Sequence, residues 1–431
     1  MNLSDYAFIR EAYLGSGGFS DGSYIDKFPR ESDEKYSERK KIAYYTNLFA
    51  SKINRYIGYL YKTAPMRTTS NQLIRAVFDD VDSRGNSVDV FMSSFAKNAK
   101  ALGGNLLLID MPSTLPNNLK EQLDTRALPY FVEIEPHSVV KYKMDKFGKF
   151  EYISFNSTID NSTYDKEDIK QVVRYYDRTE WRVYDGKDII DSGTHNLGVC
   201  PVISFGENGT FPDVGEFNQI AHLQKRHYNL KSELDEILRG QTFSLLTVNA
   251  DSPSDIELKL STDNAIVYGK EMTRPSFIAP ESASASIYQK EIQTIEDTIN
   301  KIAYDISTNQ AQESGIALDI KFQGLNGSLS NFAMRLEDFE IRAFEVVARY
   351  LQIQNADVTI QYPKTFNIVD VEKEISTLSE IKALGYTLPT YEKLKLQQIV
   401  ANDLNSVDND SLSTIDAEIE DGLKQSTNTD A

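Results

Sequence analysis

Tyr288-Gln289-Lys290-Glu291-Ile292-Gln293-Thr294-Ile295-Glu296-Asp297-Thr298-Ile299-Asn300-Lys301-Ile302 carries Tyr288, Ile292, Ile295, Ile299 and Ile302 at steps of 4, 3, 4 and 3, and Ile306 adds one more step of four. A 3,4 alternation is the seam of a helix that packs along another long helix. The partner lies upstream, where Ile220, Leu223, His227, Leu230, Leu234 and Ile237 step by 3, 4, 3, 4 and 3. Two rods are therefore expected, from about Asp213 to Leu238 and from about Ala285 to Thr308. At the α-helical rise each would be roughly 35–40 Å long. Away from its isoleucines the second rod shows Lys290, Thr294, Asp297, Lys301, Tyr304 and Thr308. That polar face suits water, either as an ordinary solvated surface or as the lining of a channel.

Between the rods, about 241–283 reads as a small β-rich insert, with strands at Phe243–Val248 and Asn264–Tyr268. After them comes a polar segment at 309–327, then a third long helix from about Ser328 to Leu351. Leu329, Phe332, Leu336, Phe339, Ala343, Val347 and Tyr350 form one face of that helix. A strand is expected over Asp357–Tyr362, two shorter helices over about 369–384 and 390–403, and a polar, mobile tail from 404.

Upstream of the rods, residues 129–206 hold short aromatic and β-branched runs separated by Gly, Asn and Asp turns, the pattern of an antiparallel sheet. A helix is expected over 88–102, closed by Gly103-Gly104 and followed by a buried strand over Asn105–Asp110. Another helix is expected from Ser37 to Tyr61, with the Gly- and Ser-rich first thirty residues loose. The fold class is α+β.

The chain has 431 residues, so it can bury a large core without disulfide or metal, and its single Cys200 excludes an intrachain disulfide framework. No apolar run reaches the length of a membrane helix, and the N-terminus lacks the pattern of a secretory leader. A soluble, non-secreted protein is expected. Lys plus Arg number 46 against 64 Asp plus Glu, a net charge of -18. Proteins that clamp nucleic acid by neutralising phosphates are basic, so that role is disfavoured. An acidic surface serves solubility, and it also suits duplex DNA that must pass without adhering.

Enzyme signatures are missing. The Gly-Lys pairs at 148–149, 186–187 and 269–270 lack the rest of a P-loop, and Gly15-Ser16-Gly17-Gly18 misses dinucleotide spacing. Asp80-Val81-Asp82-Ser83-Arg84-Gly85 starts like a calcium loop but puts Arg84 at a ligand position, so it reads as a turn. His222 and His227 are five apart, which turns them to different helix faces; His227 reads as a packed seam residue. No catalytic residue, metal or cofactor is expected.

Several stretches stand out, in order: Asn47-Leu48-Phe49 through Lys52-Ile53-Asn54-Arg55-Tyr56-Ile57-Gly58-Tyr59-Leu60, Gly104-Asn105-Leu106-Leu107-Leu108-Ile109-Asp110-Met111-Pro112, and Pro129-Tyr130-Phe131-Val132-Glu133-Ile134. Further on come Phe217-Asn218-Gln219-Ile220-Ala221-His222 with Tyr228 and Ser232-Glu233-Leu234, and Glu313-Ser314-Gly315-Ile316-Ala317-Leu318 with Phe322-Gln323. Taken together, these stretches resemble tailed-bacteriophage portal (head–tail connector) proteins.

The resemblance implies long stem helices (212–240 and 284–308) bracketing a β-rich clip (241–283), with a tunnel-loop-like segment at 309–327. It implies a wing made of a helical part (1–128), a sheet (129–211) and a long helix (328–353), and a short helical crown with a flexible tail (354–431). It further implies a homo-oligomer, a dodecamer, at one capsid vertex of the virion, assembled in the host cytoplasm. Such a ring conducts double-stranded DNA without sequence specificity during packaging and ejection. Terminase, a head–tail adaptor and the major capsid protein are its implied partners, and no membrane is involved. Lys290, Asp297 and Lys301 become candidate channel-lining residues. Ile220, Leu223, Leu230, Leu234 and Ile237 with Ile292, Ile295, Ile299, Ile302 and Ile306 become the stem-helix packing seam. The alternatives are another ring-forming virion protein, such as an adaptor or baseplate component, and an uncharacterised hydrolase.

Overall fold

The computed structural model describes residues 3–366 other than 113–115, 117, 210, 243–244, 248–275, 279–281, 306–314 and 355–356, with a few residues beyond 378. The chain opens on helix α1 (Leu3–Leu14), whose Tyr6, Ile9 and Ala12 are buried. The segment expected to be loose is thus part of the core. The glycines after it form a tight turn in which the Glu11 carboxylate accepts from the Gly18 amide and the Tyr24 hydroxyl.

The helix expected from Ser37 to Tyr61 is in fact two, α2 (Asp33–Ile42) and α3 (Leu48–Leu60). Each begins at a cap: Ser32 accepts from the Lys35 amide and Asn47 from the Ala50 amide. Those side chains satisfy first-turn donors that have no partner inside the helix.

Strand β1 (Met66–Thr69), helices α4 (Gln72–Asp79) and α5 (Val88–Leu102), and strand β2 (Gly104–Asp110) follow. Between α4 and α5, Asp82 accepts from the Arg84 and Asn86 amides, the hydrogen bonds of a turn rather than of an ion-binding loop. Helix α6 (Leu119–Asp124) precedes β3 (Tyr130–Ile134).

Strands β4 (Val139–Met144), β5 (Phe150–Asp160), β6 (Ile169–Asp177), β7 (Glu180–Asp185) and β8 (Asp188–Thr194) form a five-stranded antiparallel meander. Strand β9 (Val202–Gly206) leaves it to pair with β2, giving a second sheet of order β3-β2-β9. The single sheet expected over 129–206 is therefore two. The reason lies in β2, which is buried from Gly104 to Ile109. A strand so enclosed needs a hydrogen-bonding neighbour on each edge, because unpaired backbone groups away from water are costly.

The long helices come next: α7 (Asn218–Thr242), α8 (Ser282–Ile302) and α9 (Gly315–Tyr350). Between α7 and α8 the described part of the insert is an antiparallel pair, β10 (Leu245–Thr247) with β11 (Ser276–Ile278); the strand expected at Asn264–Tyr268 lies outside the described residues. Two boundaries differ from expectation. Helix α8 stops at Ile302 instead of Thr308, and α9 starts at Gly315, so residues 315–327 belong to the helix and not to a separate polar segment. Finally β12 (Val358–Gln361) pairs with β1. The described part of 354–431 is thus tied to the N-terminal half, while the two helices expected near 369–384 and 390–403 fall almost wholly outside the described residues.

The core is an α+β stack, with α9 across the three-stranded sheet and against α3. Aromatic rings fill the contact: Phe339 stacks on Phe95 at 4.8 Å and meets Phe205 at 5.7 Å, and Phe332 meets Phe205 at 5.5 Å. From β1, Arg67 grips Glu340 of α9 with Nε 2.5 Å from Oε1.

Candidate functional site

Helices α7 and α8 lie against each other as a hairpin. On α8, Ile292, Ile295 and Ile299 are buried and Tyr288 and Ile302 half-buried; Ile306 lies outside the described residues. On α7, Ile220, Leu230 and Leu234 are buried and Leu223 and Ile237 half-buried. His227 is 1% exposed within this contact, its Nε2 3.0 Å from Glu296 Oε1 on α8.

The opposite side of α8 is open to solvent. Lys290, Thr294, Asp297 and Lys301 are all exposed. Thr294 donates to the Lys290 carbonyl at 2.9 Å and Gln293 to Asp297 at 3.0 Å, so this face is partly knitted to its own helix. Tyr304 does not extend it. The residue sits in a turn after the helix with φ of 52° and points back to the body. Lys290→Ala, Asp297→Ala and Lys301→Ala are each expected to change folding stability by no more than about 0.5 kcal/mol, since no core contact is lost. Chemical unfolding of the three variants checks this, and a loss of several times that size would place the face in a packed interface.

The two ends of the hairpin are fixed at one buried charged cluster. Lys100, at the end of α5, is fully buried; its Nζ lies 2.5 Å from Glu207 and 2.7 Å from Glu216. The ammonium also sits 4.3 Å from the Tyr56 ring centre and 4.4 Å from that of Phe217. Glu216, just before α7, accepts from the Tyr304 hydroxyl at 2.6 Å and from Ser328 of α9 at 2.8 Å. One carboxylate thus joins the entry of the hairpin, its exit and the long helix.

The charges set one another. Burial would pull the Lys100 ammonium down, but Tyr56, Glu207 and Glu216 hold it above its ordinary value. Burial pushes the Glu207 carboxyl up in spite of Lys100. At Glu216 burial is outweighed by the Lys100 charge and by hydrogen bonds from Lys100, Tyr304 and Ser328, which leave it below the usual carboxylate value. A cleft of about 500 Å³ opens beside the cluster between Glu216, Tyr304, Gln323 and Asn331.

Two further contacts complete the anchor. Asp305, which follows Tyr304, holds both Lys52 and Arg55 of α3. Gly103 and Gly215 pack backbone to backbone, and Asn218 bridges them by accepting from the Gly215 amide at 2.6 Å and donating to the Ala101 carbonyl at 2.8 Å. On the body side, Gln224 of α7 accepts from the Leu48 and Phe49 amides, capping α3 from outside.

The charged members of this anchor, Lys100, Glu207, Glu216 and Asp305, were not singled out in the sequence, and Tyr304 was placed on the polar face of the second rod instead. Lys100, Glu207, Glu216 and Asp305 are far apart in sequence, and the only local signal is a charged residue in an otherwise apolar helix end.

The arrangement positions a long element at the base of the hairpin. His195 Nε2 is 3.1 Å from the Asp177 carbonyl, a backbone contact. Among the described residues no group of three or more His, Cys, Asp or Glu could hold a metal ion. Among the same residues no helix is long and apolar enough to cross a membrane.

No protein-family profile and no curated protein matches the chain. Solved structures similar to it include two particle necks. One is the neck of a native GTA particle computed with C12 symmetry, at 9% identity and a TM-score of 0.41, covering 81% of this chain and 90% of that chain. The other is the neck of an empty GTA particle computed with C6 symmetry, at 8% identity and a TM-score of 0.41, covering 80% of this chain and 89% of that chain.

Proposed function

We propose that this chain is the subunit of a phage portal, a ring at one capsid vertex through which double-stranded DNA passes. The observation that carries the reading is the α7–α8 hairpin. Its inner seam is apolar, one outer face of α8 is polar and exposed, and both of its ends are bound to the body at a single buried cluster. A rod held so firmly at its base, with a hydrophilic side, suits the wall of a water-filled bore.

Electrostatics supports the same reading. Duplex DNA carries a charge every ~1.7 Å, so a wall as long as one such helix faces on the order of twenty phosphates. Six to ten neutralising contacts already give strong binding. On α8 the exposed face offers Lys290 and Lys301 with Asp297 between them, a sparse and mixed lining that favours sliding over capture. In this reading the insert around β10 and β11 is the docking end for terminase and later a head–tail adaptor. The body meets the major capsid protein, and a partner ATPase supplies the energy for translocation.

Negative-stain imaging of the purified full chain tests the proposal. Rings with a central hole about as wide as a duplex are the expected result, with twelve subunits by mass. Discrete monomers at high concentration, or rings without an axial opening, would overturn it. ATPase and nuclease assays on the same preparation are expected to read background.

A further inference from the structure

Both edges of the β4–β8 sheet lack a strand partner among the described residues, and they differ in charge. At one edge, the seven-residue β8 (Asp188-Ile189-Ile190-Asp191-Ser192-Gly193-Thr194) is exposed along nearly its whole length. Ile189 and Ile190 are 53% and 48% exposed, and Ile190 is the extra residue of a bulge, because Val183 and Tyr184 of β7 pair with Asp191 and Ile189. Asp188 and Asp191 flank them. The other edge, β4, carries exposed Lys141 and Lys143 and a Val140 that is 45% exposed.

A bare edge strand is a template for another strand, and proteins usually blunt it with lysine, proline or a bulge. Strand β8 has no lysine or proline, and its charges are acidic; its bulge at Ile190 leaves Asp188 and Asp191 two ladder positions apart, the spacing of Lys141 and Lys143 on β4. Strand β4 has the lysines and a bulge at Val140, with Lys143 also reaching Glu151 at 2.5 Å. Pairing β8 with β8 of another copy would set aspartates against aspartates, and β4 with β4 would set lysines against lysines. Like charges opposite one another across a strand pair are unfavourable, and opposite charges favourable. Only the unlike combination puts Asp188 and Asp191 beside Lys141 and Lys143 and gives the exposed isoleucines an apolar neighbour in Val140.

We propose that β8 of one copy pairs with β4 of the next, so that the meanders of successive subunits join into one continuous sheet. Each step from β4 to β8 is antiparallel, so the two edge strands run the same way and the new pair is parallel. The contact uses different surfaces on the two copies, and such head-to-tail contacts generate a closed ring when the rotation closes. This inference rests on the ring-forming reading above and specifies which surfaces of the body make the lateral contact.

The test uses the full chain carrying Val140→Cys together with Ile190→Cys, treated with a short bis-maleimide. The native Cys200 is buried and stays in place. A ladder of covalent dimers, trimers and higher species is expected from the double variant, and nothing beyond a dimer from either single variant. In a second arm, Asp188→Lys with Asp191→Lys should raise the protein concentration needed for assembly at least about tenfold, because lysines then face lysines. Adding Lys141→Asp with Lys143→Asp should restore it.

Rings by imaging without a ladder, and without an effect of charge reversal, would overturn the edge pairing and leave the portal reading standing. Monomers throughout would overturn both. Circular dichroism of each variant shows that the exposed substitutions leave the fold intact.

Discussion

Lys100→Met is expected to destabilise the folded chain by about 3–5 kcal/mol, the cost of removing one partner from a buried ion pair. Methionine keeps most of the volume, so the loss is electrostatic and not a cavity. Two losses contribute, and they differ in size. The contacts of the ammonium with Tyr56 and Phe217 are worth about 2 kcal/mol when desolvated. The greater loss comes from the carboxylates that stay behind, since Glu207 and Glu216 lose the cation they share. Glu207 is the more enclosed, with a side chain 10% exposed against 31% for Glu216, so Glu207 carries more of the penalty.

That asymmetry gives a second handle. Adding Glu207→Gln to Lys100→Met should recover part of the stability, because an amide in that position is cheaper to bury than a stranded carboxylate. Adding Glu216→Gln should recover less. Urea unfolding of the native chain and these variants measures all three. Hydrogen exchange supplies the link to function: amides near 299–305, at the exit of the hairpin, should exchange faster in Lys100→Met, since Tyr304 is held through Glu216. A destabilisation below about 1 kcal/mol with unchanged exchange there would mean that the cluster is not the anchor, because isolated exposed pairs already contribute that much.

The hairpin was legible because its information is local. A seam of alternating steps can be read from a few turns of sequence, and Ile292, Ile295 and Ile299 are buried on that pattern. The anchor was not legible because Lys100, Glu207 and Glu216 come together only after β2, β9 and the start of α7 are in place. Local signals also misled. The polar run at 309–327 read as a separate segment, yet α9 runs unbroken from Gly315 through Gly324 and Gly327. Packing overrides their poor helix propensity, for Leu325 and Leu329 are buried, and Gly324 leaves room for the Tyr304 ring, which a side-chain Cβ there would meet at 3.3 Å. The glycines at 15–18 similarly drew attention from Tyr6, Ile9 and Tyr13, whose 3,4 spacing announces α1. The break between α2 and α3 contains neither Gly nor Pro, and its only marker is the capping Asn47.

Gly103→Ala is expected to cost about 2–5 kcal/mol, as the sum of two separable effects. Gly103 has φ of +81°, the left-handed conformation that ends α5. A residue with a Cβ pays about 1–2 kcal/mol for it. The second effect is collision: a Cβ on Gly103 would lie 2.1 Å from the Gly215 amide nitrogen and 2.5 Å from its Cα. These are backbone atoms at the entrance to α7, and no rotamer change can clear them. Forcing extra atoms into such a contact costs about 1–3 kcal/mol more. Gly85→Ala isolates the first effect, because Gly85 also has positive φ, at +89°, yet a Cβ there meets nothing within 4 Å. The expected result is a small loss for Gly85→Ala and a loss larger by about 1–3 kcal/mol for Gly103→Ala. Thermal unfolding of both variants beside the native chain reads the difference. Equal losses would show that α5 and the start of α7 can part without strain, and the close backbone contact would then not help to hold the hairpin at its base.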